Sequence, residues 1–388
     1  LISFVSICEH YCHCSQKKSV SSYSTTSKGT LFMPSFPEFD LPAPGETTRL
    51  HEGVYWLRMP LPFALNHINL YLLEDTDGWF IVDTGLGGKT TEKHWRTVFD
   101  SALKGKPVKG IIATHMHPDH IGQAGFLNDH WKAPLYMTRG EYFGTRALSG
   151  PETGASRWSD AEHYRRAGVD EIQIEAAISA ESGFGNFITP MPRSYQRLQH
   201  GASLKINGSE WRIVVGSGHS PEHACLFNET LNLLISGDQI LPKITPNISV
   251  YSTEPNSNPL ADYLDSLPQF LDLPEDVLTL PAHNFPFIGL HKRVREMQEH
   301  HEEKLQALMA ATSKAQTAIE LLPVMFKRKL DGSQLMFALG ECVAHLNYLM
   351  VQGDMERTLE GEQYLYRATR QVDAPTSGAN EELPVQPI

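Results

Sequence analysis

Strand-length apolar runs fill residues 54–58, 68–73 and 79–82 near the start of the chain. The last two are joined by Asp75-Thr76-Asp77-Gly78, a hairpin turn in which Gly78 is placed to supply positive φ. A helical pattern covers 91–103, and 109–114 reads as a short buried strand containing Ile111-Ile112-Ala113. Strands resume at 211–215, 224–227, 231–235 and 277–280, the middle pair flanking the turn Asn228-Glu229-Thr230. Their ends share a texture: Gly or Pro, with His or Asp close behind, as in Ser236-Gly237-Asp238 and Pro281-Ala282-His283. Loops gathered along one sheet edge can build a site from distant parts of a chain.

From residue 290 the period becomes helical. Residues 291–311 are charged and amphipathic, and Thr317-Ala318-Ile319-Glu320 is a capping box opening a helix to about 329. The stretch 333–352 repeats apolar residues at Leu335, Leu339, Val343, Leu346 and Met350, with Gly353 as its C-cap. An alternating run, 358–366, predicts a β-ribbon. Three helices and a ribbon make 290–370 a small winged-helix-like domain. Between the strand groups, 139–200 is rich in Arg, aromatic residues, Gly and Ser, with helical patches at 160–166 and 170–180. It reads as a lid-like insertion within a main domain of residues 49–289. Its aromatic residues Tyr142, Phe143, Trp158, Tyr164, Phe184, Phe187 and Tyr195 could line an apolar acyl pocket, and most are expected to form the lid's own core. Residues 1–48 read as a disordered leader, Ser- and Thr-rich to residue 32, passing into a Pro-rich extended linker, and 371–388 as a disordered tail.

Composition narrows the class. With 41% hydrophobic and 20% charged residues, the 388-residue chain is of soluble globular type. A formal net charge of −12 provides no global field for nucleic acid or an anionic membrane, and no apolar run has transmembrane length. Cys8, Cys12 and Cys14 crowd the first residues, leaving Cys225 and Cys342. That is no disulfide framework, and the first three lack a second ligand pair at zinc-finger spacing. These features predict a cytoplasmic protein with no membrane partner.

The candidate chemistry centres on Thr114-His115-Met116-His117-Pro118-Asp119-His120-Ile121-Gly122. Three imidazoles and a carboxylate fall within six residues after a buried strand. Pro118 forces the chain to turn, and Asp119 is suited to start a helix. Ligands of this type on one tight strand-to-helix turn converge as a divalent transition metal requires, and they can serve two ions. Zinc is the default, with iron or manganese allowed by the same donors.

Taken with Asp83 in Val82-Asp83-Thr84-Gly85, Gly218-His219-Ser220, Ser236-Gly237-Asp238 and Pro281-Ala282-His283, this motif resembles the metallo-β-lactamase superfamily. The resemblance covers about residues 50–290, and the tail resembles the winged-helix extension of a glyoxalase II-like branch. It implies an α/β fold, an αββα sandwich with a two-metal site on one edge. His115, His117 and His219 would hold one Zn2+, Asp119, His120 and His283 a second, and Asp238 would bridge them. Asp83 would support the site from beneath, orienting a ligand His or a loop amide. His223, four residues after His219, is a candidate substrate contact or, equally, a structural support for a ligand.

The implied activity is hydrolysis of an acyl bond (thioester, lactone or ester) in a small molecule. A hydroxide held between the ions would attack, with Asp119 as the catalytic residue that orients it and accepts its proton. His117 stands where oxygen-reducing relatives carry Glu, which favours the hydrolytic form. A nuclease or phosphodiesterase is the alternative, since two metals also suit phosphoryl transfer. Against it, 333–352 contains no Lys or Arg, so nucleic acid is not an expected partner. The tail would instead close the pocket or form a homodimer contact. A β-lactamase ranks third, and the insertion and tail depart from the glutathione-binding region of glyoxalase II itself.

Overall fold

The computed structural model describes residues 35–63, 65–149, 157–181, 184–328, 330 and 332–371. The leader to residue 34, with its three cysteines, and the tail from 372 lie outside the described residues.

Two sheets carry the architecture. In the first, seven strands are ordered as in the sequence: β1 (Thr47–His51), β2 (Val54–Pro60), β3 (His67–Asp75), β4 (Gly78–Val82), β5 (Val108–Ile112), β6 (Leu135–Met137) and β7 (Gln196–Arg197). Pairing is antiparallel from β1 to β4 and parallel from β4 to β7. The second sheet runs β12 (Leu278–Pro281), β11 (Leu233–Gly237), β10 (His223–Asn228), β9 (Ser209–Gly216) and β8 (Ser203–Ile206). Only β11 and β12 are parallel there.

Helices α1 (Lys89–Ser101), α2 (Pro118–Ile121), α3 (Ala124–Trp131) and α4 (Arg139–Leu148) belong to the first half. The insertion continues with α5 (Trp158–Arg166) and α6 (Glu171–Glu181). Next come α7 (Pro259–Ser266), α8 (Leu290–Ala311), α9 (Ala318–Met325) and α10 (Gly332–Gln352), then a ribbon of β13 (Met355–Glu360) and β14 (Gln363–Ala368).

The period-two alternation of side chains sorts the core into three layers. Leu70, Leu72, Ile81 and Ile111 face α1 and α3, against Trp95, Val98 and Leu127. Their neighbours Tyr71, Leu73, Val82 and Ile112 face the other sheet, meeting Ile213, Ala224, Leu226 and Ile235. Cys225, Phe227 and Leu234 point outward from the second sheet onto α7–α10. That order is helix, sheet, sheet, helix. Truncating an interior residue such as Leu226 to Ala is expected to cost about 2–5 kcal/mol.

Several expectations need correction. Gly78 has no positive φ; it is needed because a Cβ there would lie 2.6 Å from Lys109 Cγ and 2.7 Å from the Pro107 carbonyl. The expected linker is docked: Ser35 and Ile288 exchange backbone hydrogen bonds of 2.9 Å, Phe39 packs on the core, and β1 already starts at Thr47. The insertion has no core of its own among the described residues. Tyr142, Phe187 and Tyr195 join the first-sheet cluster, Tyr164 joins the second-sheet cluster, and Phe143 and Trp158 are exposed. The tail's helices pack on one another and also share one hydrophobic cluster with the second sheet. No helix among the described residues is long and apolar enough to cross a membrane.

Candidate metal centre

The His-rich motif leaves β5 and turns into α2. Pro118 is the first helical residue and His117 the cap, so Asp119 does not start the helix as expected. Its carboxylate is released from capping and faces the cluster, 3.5 Å from His283 Nε2. Thr84, just past β4, clamps the turn: its amide and its hydroxyl each donate to the His120 carbonyl at 2.7 Å.

The loops after β4, β5, β9, β11 and β12 bring the remaining residues together at one edge. His115 Nε2 and His117 Nδ1 are 2.8 Å apart. Asp238 Oδ2 lies 3.5 Å from both His120 Nε2 and His219 Nε2, and Asp238 Oδ1 lies 3.4 Å from His283 Nε2. Three donor sets emerge, each with ligand atoms within 4.8 Å of one another: His115, His117 and His219; His115, His120 and Asp238; and Asp119, His120 and His283. Asp238 thus stands between the two histidine groups.

The buried nitrogens test whether ions fit. His120 Nε2, His219 Nε2 and His283 Nε2 are enclosed and lie 3.4–3.7 Å from the Asp119 or Asp238 carboxylates, too long for a close hydrogen bond. Stranding such atoms costs stability unless another group satisfies them, and divalent ions would satisfy all three at once. The opposite ring nitrogens are each anchored. His120 Nδ1 donates to Asp83 Oδ2 (2.8 Å), His219 Nδ1 to the Asn247 carbonyl (2.8 Å), and His283 Nδ1 to the His67 carbonyl (2.9 Å). With Nδ1 held as the donor, Nε2 is the nitrogen each ring turns inward and would offer to a cation once its proton is displaced.

Charge follows the same division. Burial and neighbouring histidines keep the His115 imidazole well below its usual range and that of His117 at about 3, so both are neutral donors. Burial opposes ionisation of Asp119 and Asp238, but the nearby His120 and His283 hold both carboxyls below the usual range. Burial also disfavours charge on His120, and Asp83, Asp119 and Asp238 outweigh it, raising the imidazole.

Asp83 sits at φ 60, a strained backbone for a residue with a Cβ. From there it accepts from the Thr114 amide (2.7 Å) and hydroxyl (2.9 Å) as well as from His120. Of the two roles open to His223, the structure supports the structural one, and the ring is not positioned to meet substrate. It is fully buried, its Nε2 accepts from the Asp238 amide at 3.0 Å, and its ring stacks on His115. It supports Asp238.

Three supports escape sequence reasoning. Buried Glu141 accepts from the Met116 amide (2.9 Å) and the Glu222 amide (2.7 Å), tying the histidine turn to the loop after His219. Asn247 and His67 act through backbone carbonyls, which no residue pattern announces.

The family model described as Metallo-beta-lactamase superfamily matches residues 65–283. The chain belongs to the metallo-β-lactamase superfamily. Within that superfamily, a second model, Metallo-beta-lactamase-like C-terminal domain, matches residues 305–370. A β-lactamase domain protein from Burkholderia ambifaria, solved as a crystal structure, is 39% identical with a TM-score of 0.79, covering 85% of this chain and 96% of that one. The probable metallo-hydrolase YqjP of Bacillus subtilis is 19% identical over 82% of this chain and 99% of its own length. An acyl-coenzyme A thioesterase of Homo sapiens is 23% identical over 60% of this chain and 79% of its own length.

Proposed function

We propose that this metallo-hydrolase superfamily member cleaves an acyl bond in a small molecule, with a thioester as the first substrate class to test and zinc as the metal. The observation that carries the proposal is the convergence of five buried imidazoles and two carboxylates, with three Nε2 atoms turned toward the carboxylates at 3.4–3.7 Å. His115, His117 and His219 would hold one ion, Asp119, His120 and His283 the other, and Asp238 would contact both. When bound, a pair of divalent ions supplies acidification of water and polarisation of a carbonyl.

The chain's own residues supply the rest. The Asp119 side chain is 12% exposed and that of Asp238 is 1% exposed, so Asp119 is the carboxylate that an incoming water can reach. Its ionised state at neutral pH lets it orient that water and take up a proton. Asp83 and the Asn247 and His67 carbonyls hold three imidazoles in fixed orientation, which removes reorganisation from the reaction. Half-buried Phe63 and Phe187 meet edge to face at 6.3 Å. The Phe187 carbonyl accepts from the Gly87 amide, and Thr189 bonds the Gly122 carbonyl just beyond Asp119 and His120. The exposed parts of these rings would offer an acyl chain an apolar surface near the site.

The thioesterase among the relatives supports the same class. Helix α10 argues against nucleic acid, since Leu339, Cys342, Ala344 and Leu346 commit it to the core. Purified zinc-loaded protein should hydrolyse thioesters or lactones in a panel that also contains nitrocefin, bis-p-nitrophenyl phosphate and single-stranded RNA. Turnover confined to the last two would replace this reading with a phosphodiesterase.

A further inference from the structure

The C-terminal helix leans directly on the segment that orients His219. The Asn247 carbonyl receives the His219 Nδ1 hydrogen bond, and residues 247–250 run as a buried strap beside α10. The strap is fastened at several points. The Val250 amide donates to the Gly340 carbonyl at 3.1 Å, and Asn247 Nδ2 donates to Glu341 Oε2 at 3.4 Å. Ser249 Oγ donates to Asn247 Oδ1 at 2.6 Å and lies 3.4 Å from the Phe337 carbonyl. A Cβ on Gly340 would come within 2.9 Å of Ser249 Cβ and Oγ and 3.1 Å of the Val250 carbonyl. The helix therefore needs glycine there to approach so closely.

An imidazole that binds a metal depends on the partner of its other nitrogen for tautomer and ring direction. Here that partner is a backbone carbonyl, whose direction follows the conformation of the strap. We propose that α10 is a positioning element of the metal centre: Gly340 and Glu341 fix the strap, the strap aims the Asn247 carbonyl, and the carbonyl aims His219. Glu341, itself 1% exposed, is a positioning residue and touches neither substrate nor ion. This gives the tail a specific task, completing the three-histidine site from a helix more than a hundred residues downstream in the sequence. The inference rests on His219 serving as a ligand, as proposed above.

The test titrates metal-free full-length protein with Co2+, counting bound ions by equilibrium dialysis and recording their visible absorption. Wild type, Gly340→Ala, Glu341→Ala, Glu341→Gln and Leu346→Ala are compared, each with its thermal midpoint. Leu346, fully buried in the same helix, controls for lost core packing. Glu341→Ala and Gly340→Ala should weaken one of two ions by about tenfold or more and change its absorption band. Glu341→Gln, which keeps an acceptor oxygen for Asn247, should stay near wild type. Leu346→Ala should lower the midpoint while keeping Co2+ affinity.

Wild-type affinity and spectrum in Glu341→Ala would overturn the proposal, as would metal loss in Leu346→Ala equal to that in Glu341→Ala. Should Gly340→Ala fail to fold, Glu341→Ala decides alone. Wild type binding no Co2+ would instead refute the site assignment itself, and the inference with it.

Discussion

Asp83 Oδ2 lies 2.8 Å from His120 Nδ1, and the Asp83 backbone adopts φ 60 to place it there. A strained residue joined to a candidate ligand is strain used to set geometry. Asp83→Asn is the informative change, because Asn tolerates the same backbone while replacing one oxygen with an NH2 group. Facing His120 Nδ1, that group forces the proton to Nε2, where it blocks a cation. Affinity for one of two ions should fall about 10–100-fold while the thermal midpoint of metal-free protein changes little. Chelator competition measures the first and scanning calorimetry the second; unchanged affinity would show that Asp83 does not set the His120 tautomer.

Glu141→Ala removes the acceptor shared by the Met116 and Glu222 amides, in a position fully shielded from water. Each stranded amide costs about 1–3 kcal/mol. Urea unfolding should therefore show a loss of roughly 2–6 kcal/mol, with Glu141→Gln losing less because it retains one acceptor. A midpoint equal to wild type would mean that water replaces the carboxylate at no cost.

Acid should loosen the tail through the buried pair His301 and His345, whose Nδ1 and Nε2 atoms are 3.1 Å apart. Burial first, then the neighbouring His345 and His300 and the positive fields of Lys304 and Arg293, hold His301 well below 6.5. Burial likewise holds His345 at about 3, with Lys304 and His300 adding to it and the Glu341 carbonyl opposing. Tyr263 meets the His301 ring edge to face, and the Glu341 carboxyl also lies beside Lys304. The folded values lie below the unfolded one. The pair's contribution is therefore complete above about pH 6.5 and is lost as pH falls toward about 3. In urea titrations, His345→Gln should flatten the decline of stability between those limits relative to wild type. An identical slope would remove the pair as its cause.

Much of the sandwich was legible because burial imposes a period. Leu72 and Tyr71 are consecutive and face different layers, as alternation requires. The Thr317–Glu320 capping box forms as read, with the Thr317 hydroxyl accepting from the Glu320 amide. The seven expected ligand side chains converge because each follows a strand of one edge. What stayed hidden acts without a period. Glu141 lies in the first turn of α4, in a stretch whose pattern announces no helix, the Asn247 and His67 contributions are carbonyls, and the supporting role of His223 is fixed only once its ring is seen beneath Asp238. The tail reads as a module by itself, since helical periodicity tells which face is apolar but not which surface covers it.

The number of divalent ions per chain is the most direct measurement. Elemental analysis of purified, extensively dialysed protein should give two zinc, iron or manganese ions per wild-type chain. Asp238→Ala, which removes the carboxylate within 3.5 Å of His120, His219 and His283, should give one or none. Full retention in Asp238→Ala, or a wild-type chain that hydrolyses its substrate with no ion bound, would contradict the account.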